Sequence, residues 1–269
     1  MGEFLERGLL VLPSVLQSQH IDRLKHTVDT VMDDRSAGRN RYIVEYDALG
    51  ALCAHPPMVE RVKQLMGRYG NGREDCGVHH MHVSRHGPGS VGARWHHDFN
   101  CMPDVHDREQ LSIHVFYYFA GLDGTIGDLL VLPGSQEAVH PVRGIGELFG
   151  TLDLPGSIII DNLPPGSAVV LHSGLLHARR AKPGGVTGHD RYFVDVEYVQ
   201  PGSQRWPAYL DSEQHDAICQ IAKRSGFDQP AHNNNTFEYG HLWEFSAARY
   251  CDSTEFYRFF RSLPSVERD

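Results

Sequence analysis

Five Pro-Gly-Ser triplets, beginning at Pro88, Pro133, Pro155, Pro165 and Pro201, punctuate this sequence. Proline presets φ at the first central position of a tight turn, and glycine accepts the positive φ that a type II turn requires at the second. Between the triplets lie short runs rich in β-branched and aromatic residues: Leu111–Ala120, Asp128–Leu132, Ser157–Ile160, Ala168–His172 and Tyr192–Val199. Many short strands with regular turn signals are the pattern of a β-sandwich or barrel. The expected class is mainly β with helical flanks.

The flanks carry a different period. Gly8–Leu12 is a short apolar strand stopped by Pro13. Ser18 can cap a helix with Ile21, Leu24, Val28 and Val31 on one face, ending near Gly38. A second helix has Pro57 in its first turn and Val59, Val62, Leu65 and Met66 on one face. Asp211–Ser225 reads as a helix closed by Gly226, and the aromatic segment His241–Phe260 as helical in part. There is no linker, low-complexity tract or long repeat. Residues 1–269 are therefore expected to form one domain, with a helical part over 14–70, a β core over about 76–200 and a helical part over 207–262.

Composition excludes several functions. Twenty-five basic against 34 acidic side chains give a net charge of −9, which disfavours nucleic acid or an anionic membrane as partner. No apolar run approaches the roughly 20 residues of a membrane span. The N-terminal stretch is too acidic to read as a secretion signal. Five cysteines with no C-x-x-C spacing argue for reduced thiols and a cytoplasmic setting. The segment Gly87-Pro88-Gly89-Ser90-Val91-Gly92 matches G-x-G-x-x-G, but no amphipathic helix follows it to receive a pyrophosphate, so it reads as a loop. G-x-S-x-G, H-E-x-x-H and a Walker loop are all missing.

Histidine is the unusual residue, at 18 of 269. A site of two histidines and one carboxylate holds a metal on one face and leaves other positions open. On a strand, residues i and i+2 point the same way, so His-x-Asp can deliver two ligands together. His20-Ile21-Asp22 falls in the first helix, where that spacing faces nearly opposite sides. His96-His97-Asp98 lies in the β region between Trp95 and Phe99 and is geometrically competent. The third ligand must come from a distant strand, and the spacing leaves His172 and His177 both open.

In Trp95–Phe99, Gly127–Ser135, Pro165–His177 and Arg191, the chain resembles the phytanoyl-CoA dioxygenase family of Fe(II)- and 2-oxoglutarate-dependent oxygenases. The resemblance covers about residues 4 to 200. It implies a double-stranded β-helix, or jelly roll. It implies His96, Asp98 and His177 as iron ligands, the last because the family's ligand follows two apolar residues, here Leu175 and Leu176. Fe(II) and 2-oxoglutarate are the implied cofactor and co-substrate, with dioxygen and a small molecule as partners. Arg191 is the implied anchor for the far carboxylate of 2-oxoglutarate, a planar fork suited to that group. Its rival is Arg179, which replaces a small polar residue of the family pattern. Gln136 likewise stands where the family often has histidine. Halogenases of this superfamily lack the carboxylate ligand, so Asp98 points to hydroxylation of an unactivated C–H bond with release of succinate and CO2, with desaturation and ring formation as open alternatives.

Residues expected near the substrate are Phe99, Asn100, His114, Tyr118 and Arg85, with Trp243 and Phe245 in a segment placed to close over the site. Two other readings use the same residues: a non-catalytic jelly-roll protein that binds metal or ligand, and a zinc hydrolase with the same ligands and water.

Overall fold

Two antiparallel sheets build the β core, and the residues that form them alternate between two different interiors. The structure is a computed structural model that describes residues 2–39, 43, 46–70, 72, 74, 76–98, 111–137, 149–181 and 189–200. Its elements are α1 (Gly2–Arg7), β1 (Leu9–Leu12), α2 (Ser18–Ser36), α3 (Asp47–Cys53), α4 (Pro56–Tyr69), β2 (Gly77–His86) and β3 (Ala93–His96). There follow β4 (Ser112–Tyr118), β5 (Leu122–Asp123), β6 (Leu129–Val131), β7 (Ile158–Ile160), β8 (Asn162–Leu163), β9 (Ser167–His172), β10 (His177–Arg179) and β11 (Arg191–Val199). The expected helix over 207–262, with Trp243 and Phe245, lies outside the described residues.

The larger sheet has the order β1-β9-β4-β11-β2 and the smaller one β3-β10-β6-β7, with β5 and β8 paired separately. The chain crosses between the two sheets from β2 to β3, β3 to β4, β9 to β10 and β10 to β11, as in a double-stranded β-helix, and this is the jelly roll the resemblance implied. Every residue of β4 is buried. Its odd positions, Ile113, Val115 and Tyr117, meet Val28 and Val31 of α2 and Val62 and Leu65 of α4 in one apolar cluster. Its even positions face the other way, Phe116 and Tyr118 joining Leu129, Val131 and Val169 between the sheets. A strand buried on both faces loses the apolar–polar alternation and reads as a continuous run. Each fully buried aliphatic side chain here contributes roughly 1.5–3 kcal/mol through removal from water.

The helices match their expected faces, with Ile21, Leu24, Val28 and Val31 buried on α2 and Val62, Leu65 and Met66 on α4. Gln17, not Ser18, precedes the first turn of α2 as its cap. Helix α3 was not expected; its seven residues are too few to show a period. Among the described residues, no helix is long and apolar enough to cross a membrane.

The four described Pro-Gly-Ser triplets place Gly89, Gly134, Gly156 and Gly166 at φ of 80°, 80°, 78° and 75°. The serines are used as well. Ser167 Oγ accepts from Ser14 N and donates to Pro164 O, and Ser135 Oγ accepts the backbone N–H of Leu176. Gln136 donates to Leu5 O and thereby ties the turn after β6 to α1. A Cβ on Gly166 would lie 2.8 Å from Ile21 Cδ1 and 3.0 Å from Leu16 O, whereas one on Gly89 would meet nothing within 4 Å. Gly89→Ala should cost about 1–2 kcal/mol from φ alone. Gly166→Ala should cost roughly 3 kcal/mol or more, because overpacking adds to the strain. Urea unfolding of the two variants checks the order, and equal losses would contradict it.

Candidate metal centre

Strands β3 and β10 are antiparallel neighbours, and their register sets His96 directly opposite His177. The two imidazole centroids lie 4.3 Å apart. Asp98 follows β3 by two residues, and its backbone N–H donates to Ser173 O at 2.8 Å, pinning it beside the turn that leads into β10. Nε2 of His177 is 3.5 Å from Asp98 Oδ2, and Nε2 of His96 is 3.8 Å from Asp98 Oδ1. One ligand atom from each residue falls within 4.8 Å of the others. These separations are too long for hydrogen bonds and suit groups arranged around a shared cation.

Both rings are oriented for that role. His96 Nδ1 is 2.6 Å from Arg94 O and His177 Nδ1 is 3.0 Å from Leu175 O. A carbonyl can only accept, so each Nδ1 carries a proton and Nε2 is the nitrogen turned toward the centre. Burial, and then repulsion from His96, pushes the His177 pKa down to about 4 and keeps the ring neutral. Burial alone would raise Asp98, but the nearby His114, His177 and His96 outweigh it and hold the carboxyl below its usual value.

The structure separates the histidines that sequence spacing left open. His172 lies on β9, where its Nδ1 accepts from Gly174 N at 2.9 Å in the turn before β10. His97, between His96 and Asp98, points the other way and is fully buried. Trp95, on that same face, donates its Nε1–H to Leu152 O.

A cavity of about 330 Å³ extends from the His96–Asp98–His177 cluster to two arginines, Arg179 and Arg191. Arg191 opens β11, is 3% exposed, and donates from Nη2 to Tyr118 Oη at 3.2 Å. Its guanidinium lies 5.2 Å from the Tyr118 ring centroid and 5.1 Å from that of Phe193. Burial lowers the pKa of Arg191, and burial followed by repulsion from Arg191 brings Arg179 down to about 10. Nε of Arg191 and Nη1 of Arg179 are both buried without a hydrogen-bond partner in the structure. An irregularity in the β3–β10 pairing sets Arg179 opposite Ala93, not Arg94. A methyl group therefore faces Arg179 across the pairing, while Arg94 is exposed.

The remaining expectations fall in several places. Tyr118 is fully buried beneath Arg191 and supports the arginine; it is not on the cavity wall. His114 lies behind Asp98, with Nδ1 2.9 Å from both oxygens of Asp195 and Nε2 3.6 Å from Asp98 Oδ2 and 3.5 Å from Glu197 Oε1. Burial opposes charge on His114, but Asp195, Asp98 and Glu197 together hold it as an imidazolium. Arg85 points outward to Asp29 and Asp190, because odd and even positions of β2 face opposite sides. Phe99 and Asn100 lie outside the described residues.

The wall opposite the metal cluster was not expected. His82, Ser84 and His86 of β2 line it, paired in register with Asp195, Phe193 and Arg191 of β11. The signal was present as polar residues at i, i+2 and i+4 around the buried Val83, which marks one polar strand face.

No protein-family profile matches this sequence, and no curated protein does. Solved structures share its fold. A non-heme alpha ketoglutarate dependent carbocyclase, SnoK from nogalamycin biosynthesis, aligns with a TM-score of 0.61 at 14% identity, over 79% of this chain and 87% of its own. EctD from S. alaskensis, solved with 2-oxoglutarate and 5-hydroxyectoine, aligns at 0.59 and 16% over 90% and 86%. EvdO2 from Micromonospora carbonacea var. aurantiaca, complexed with 2-oxoglutarate, aligns at 0.54 and 17% over 74% and 89%.

A titration with Ni(II) or Co(II) checks the cluster. The parent chain should bind one equivalent. His177→Ala should weaken binding by more than about 100-fold, since even supporting residues around a metal are worth 10–100-fold. His172→Ala should bind as the parent does; the reverse pattern would move the ligand to His172.

Proposed function

We propose that this chain is an Fe(II)- and 2-oxoglutarate-dependent dioxygenase that hydroxylates an unactivated C–H bond of a small molecule, releasing succinate and CO2. One observation carries the reading. A single cavity has two imidazoles and a carboxylate at one end and a buried arginine without a carboxylate partner at the other. The first end fits a ferrous ion in donor type and in number, with open positions left over. The second fits the far carboxylate of a 2-oxo diacid. The fold shared with SnoK, EctD and EvdO2, whose descriptions name that co-substrate or show it bound, supports the same reading.

His96, Asp98 and His177 would hold the iron. The chemistry it supplies when bound is the activation of dioxygen, coupled to oxidative decarboxylation of the 2-oxo acid. The protein's own part is positioning. Leu175 O and Arg94 O fix the imidazole tautomers, and Ser173 O fixes the Asp98 backbone. Arg191 would hold the diacid by its far end, so that its 2-oxo and C1 oxygens reach the metal. Tyr118 and Phe193 clamp the guanidinium in place and leave it few other orientations. Phe116, edge-on to His177 at 5.5 Å, covers the metal side with apolar surface.

A zinc hydrolase would use the same three ligands but has no use for a buried arginine at the far end. A non-catalytic binder would hold the ligand without turnover. Anaerobic addition of Fe(II) and 2-oxoglutarate should give the weak visible charge-transfer band of the chelate, and admitting air should give succinate. A hydrolase shows no band, and a binder forms no succinate. Arg191→Ala should raise the 2-oxoglutarate requirement by roughly 30-fold or more, since unpairing a buried charge costs about 2–5 kcal/mol. An unchanged requirement would remove Arg191 from the anchor.

A further inference from the structure

The arginine end of the cavity holds more positive charge than one carboxylate anchor needs. Arg191 enters from β11 of the larger sheet and Arg179 from β10 of the smaller, so the two guanidiniums arrive from opposite walls. Both act on the same two neighbours, His86 and Tyr118. Among the described residues, no carboxylate forms an ion pair with either one. Asp128 acts on Arg191 from a distance, and its Oδ2 already accepts from Arg180 at 3.2 Å. The orphaned Nε of Arg191 and Nη1 of Arg179 are donors buried without acceptors. Arg191 is buried and Arg179 half-buried, and like charges held together with so little access to water are costly unless something negative joins them.

We propose that Arg179 and Arg191 form a two-arginine clamp that closes from both sheets on the far carboxylate of a single dicarboxylate, and that Arg179 is a specificity-determining residue for that ligand. The proposal rests on the reading that this cavity takes 2-oxoglutarate, with Arg191 as its anchor. The spacing agrees. His177 and Arg179 stand two residues apart on one strand face, a step of about 6–7 Å. A diacid gripped at the metal end by its 2-oxo and C1 oxygens reaches one such step with its other carboxylate. A carboxylate has about four acceptor positions, enough for an edge of each guanidinium. A 2-oxo monoacid leaves both forks empty, so the clamp selects for the second acid group. Ala93, opposite Arg179, leaves the space in which the second fork lies.

The clamp has a signature that a structural arginine lacks. Removing one of two mutually repelling charges should stabilise the chain without ligand and weaken its response to ligand. Arg179→Met keeps the aliphatic stem and removes only the charged fork. The full chain is tested with glutarate, a diacid without the 2-oxo group that reports on the carboxylate end alone. The parent should bind glutarate in the absence of metal. Arg179→Met should melt higher than the parent without ligand and bind glutarate about 10- to 100-fold more weakly. Arg179→Lys should fall between, since it keeps the charge and loses the fork. Binding of pyruvate to the Ni(II)-loaded chain should be the same in parent and Arg179→Met. No glutarate binding by the parent, unchanged binding by Arg179→Met, or a lower melting temperature for that variant without ligand would each overturn the clamp. The broader reading fails separately, through absence of succinate when iron, 2-oxoglutarate and air are supplied.

Discussion

The pairing of β3 with β10 is the constraint on which the rest of the site depends. His96 and His177 lie 81 positions apart and meet only because the register places them opposite each other. A slip of one residue would send every side chain of β3 to the other face and set Trp95 or His97 opposite His177 in place of His96. The short strands are held against such a slip from several directions. Trp95 fills the outer pocket and bonds Leu152 O, Leu176 N donates to Ser135 Oγ, and His177 pairs on its other side with Val131 of β6. The pairing irregularity after His177 is part of the same arrangement. It keeps Arg179 facing inward while setting Ala93 across from it.

The larger sheet has the complementary task. It must be apolar toward the helices along its whole length and polar at chosen positions toward the cavity. β11 does both in one strand. Val194, Val196 and Tyr198 join the helical core, while Arg191, Phe193 and Asp195 face the cavity. Glu197 continues that inner face, its Oε1 accepting from Ser112 Oγ at 2.7 Å. A buried polar group is costly unless satisfied. Inner-face polar residues in a strand otherwise built for burial are therefore a functional signal in their own right.

Much of this could be read from the chain because the informative residues act locally. A Pro-Gly-Ser turn is specified by three neighbours, and every described one has its glycine at positive φ. The helix faces follow from spacing within a single element. His-x-Asp is likewise local once it is placed on a strand end. What failed was whatever depended on which strand lies beside which. Tyr118 and Arg85 were expected near substrate as residues of inward strand faces, but Tyr118 is buried under Arg191 and Arg85 lies on the outward side of β2. His82, Ser84 and His86 escaped because β2 reads as a polar run, and only pairing with β11 gives it an inside. β10 has three residues and β3 four, too short to announce themselves by any period.

The charges on the inner surface divide into two halves of opposite sign. Around the metal cluster stand three carboxylates, Asp98, Asp195 and Glu197, against one imidazolium, His114. Nδ1 of His114 lies 2.9 Å from both oxygens of Asp195, while Nε2 lies 3.6 Å from Asp98 Oδ2 and 3.5 Å from Glu197 Oε1. Burial opposes charge on the ring, but these carboxylates hold the His114 pKa well above the usual imidazole value, so it carries a positive charge. This half therefore lacks two positive charges. The arginine half lacks two negative ones. A divalent cation and a dicarboxylate dianion correct the two deficits without leaving net charge behind, and neither does so alone. Unpaired ions in a low-dielectric cavity are expensive, and the attraction that offsets the cost falls off as the inverse of the distance to a partner. On the function proposed above, the cavity suits a metal–diacid pair more than either member, which places the arginines in the same functional unit as the ligands on other strands.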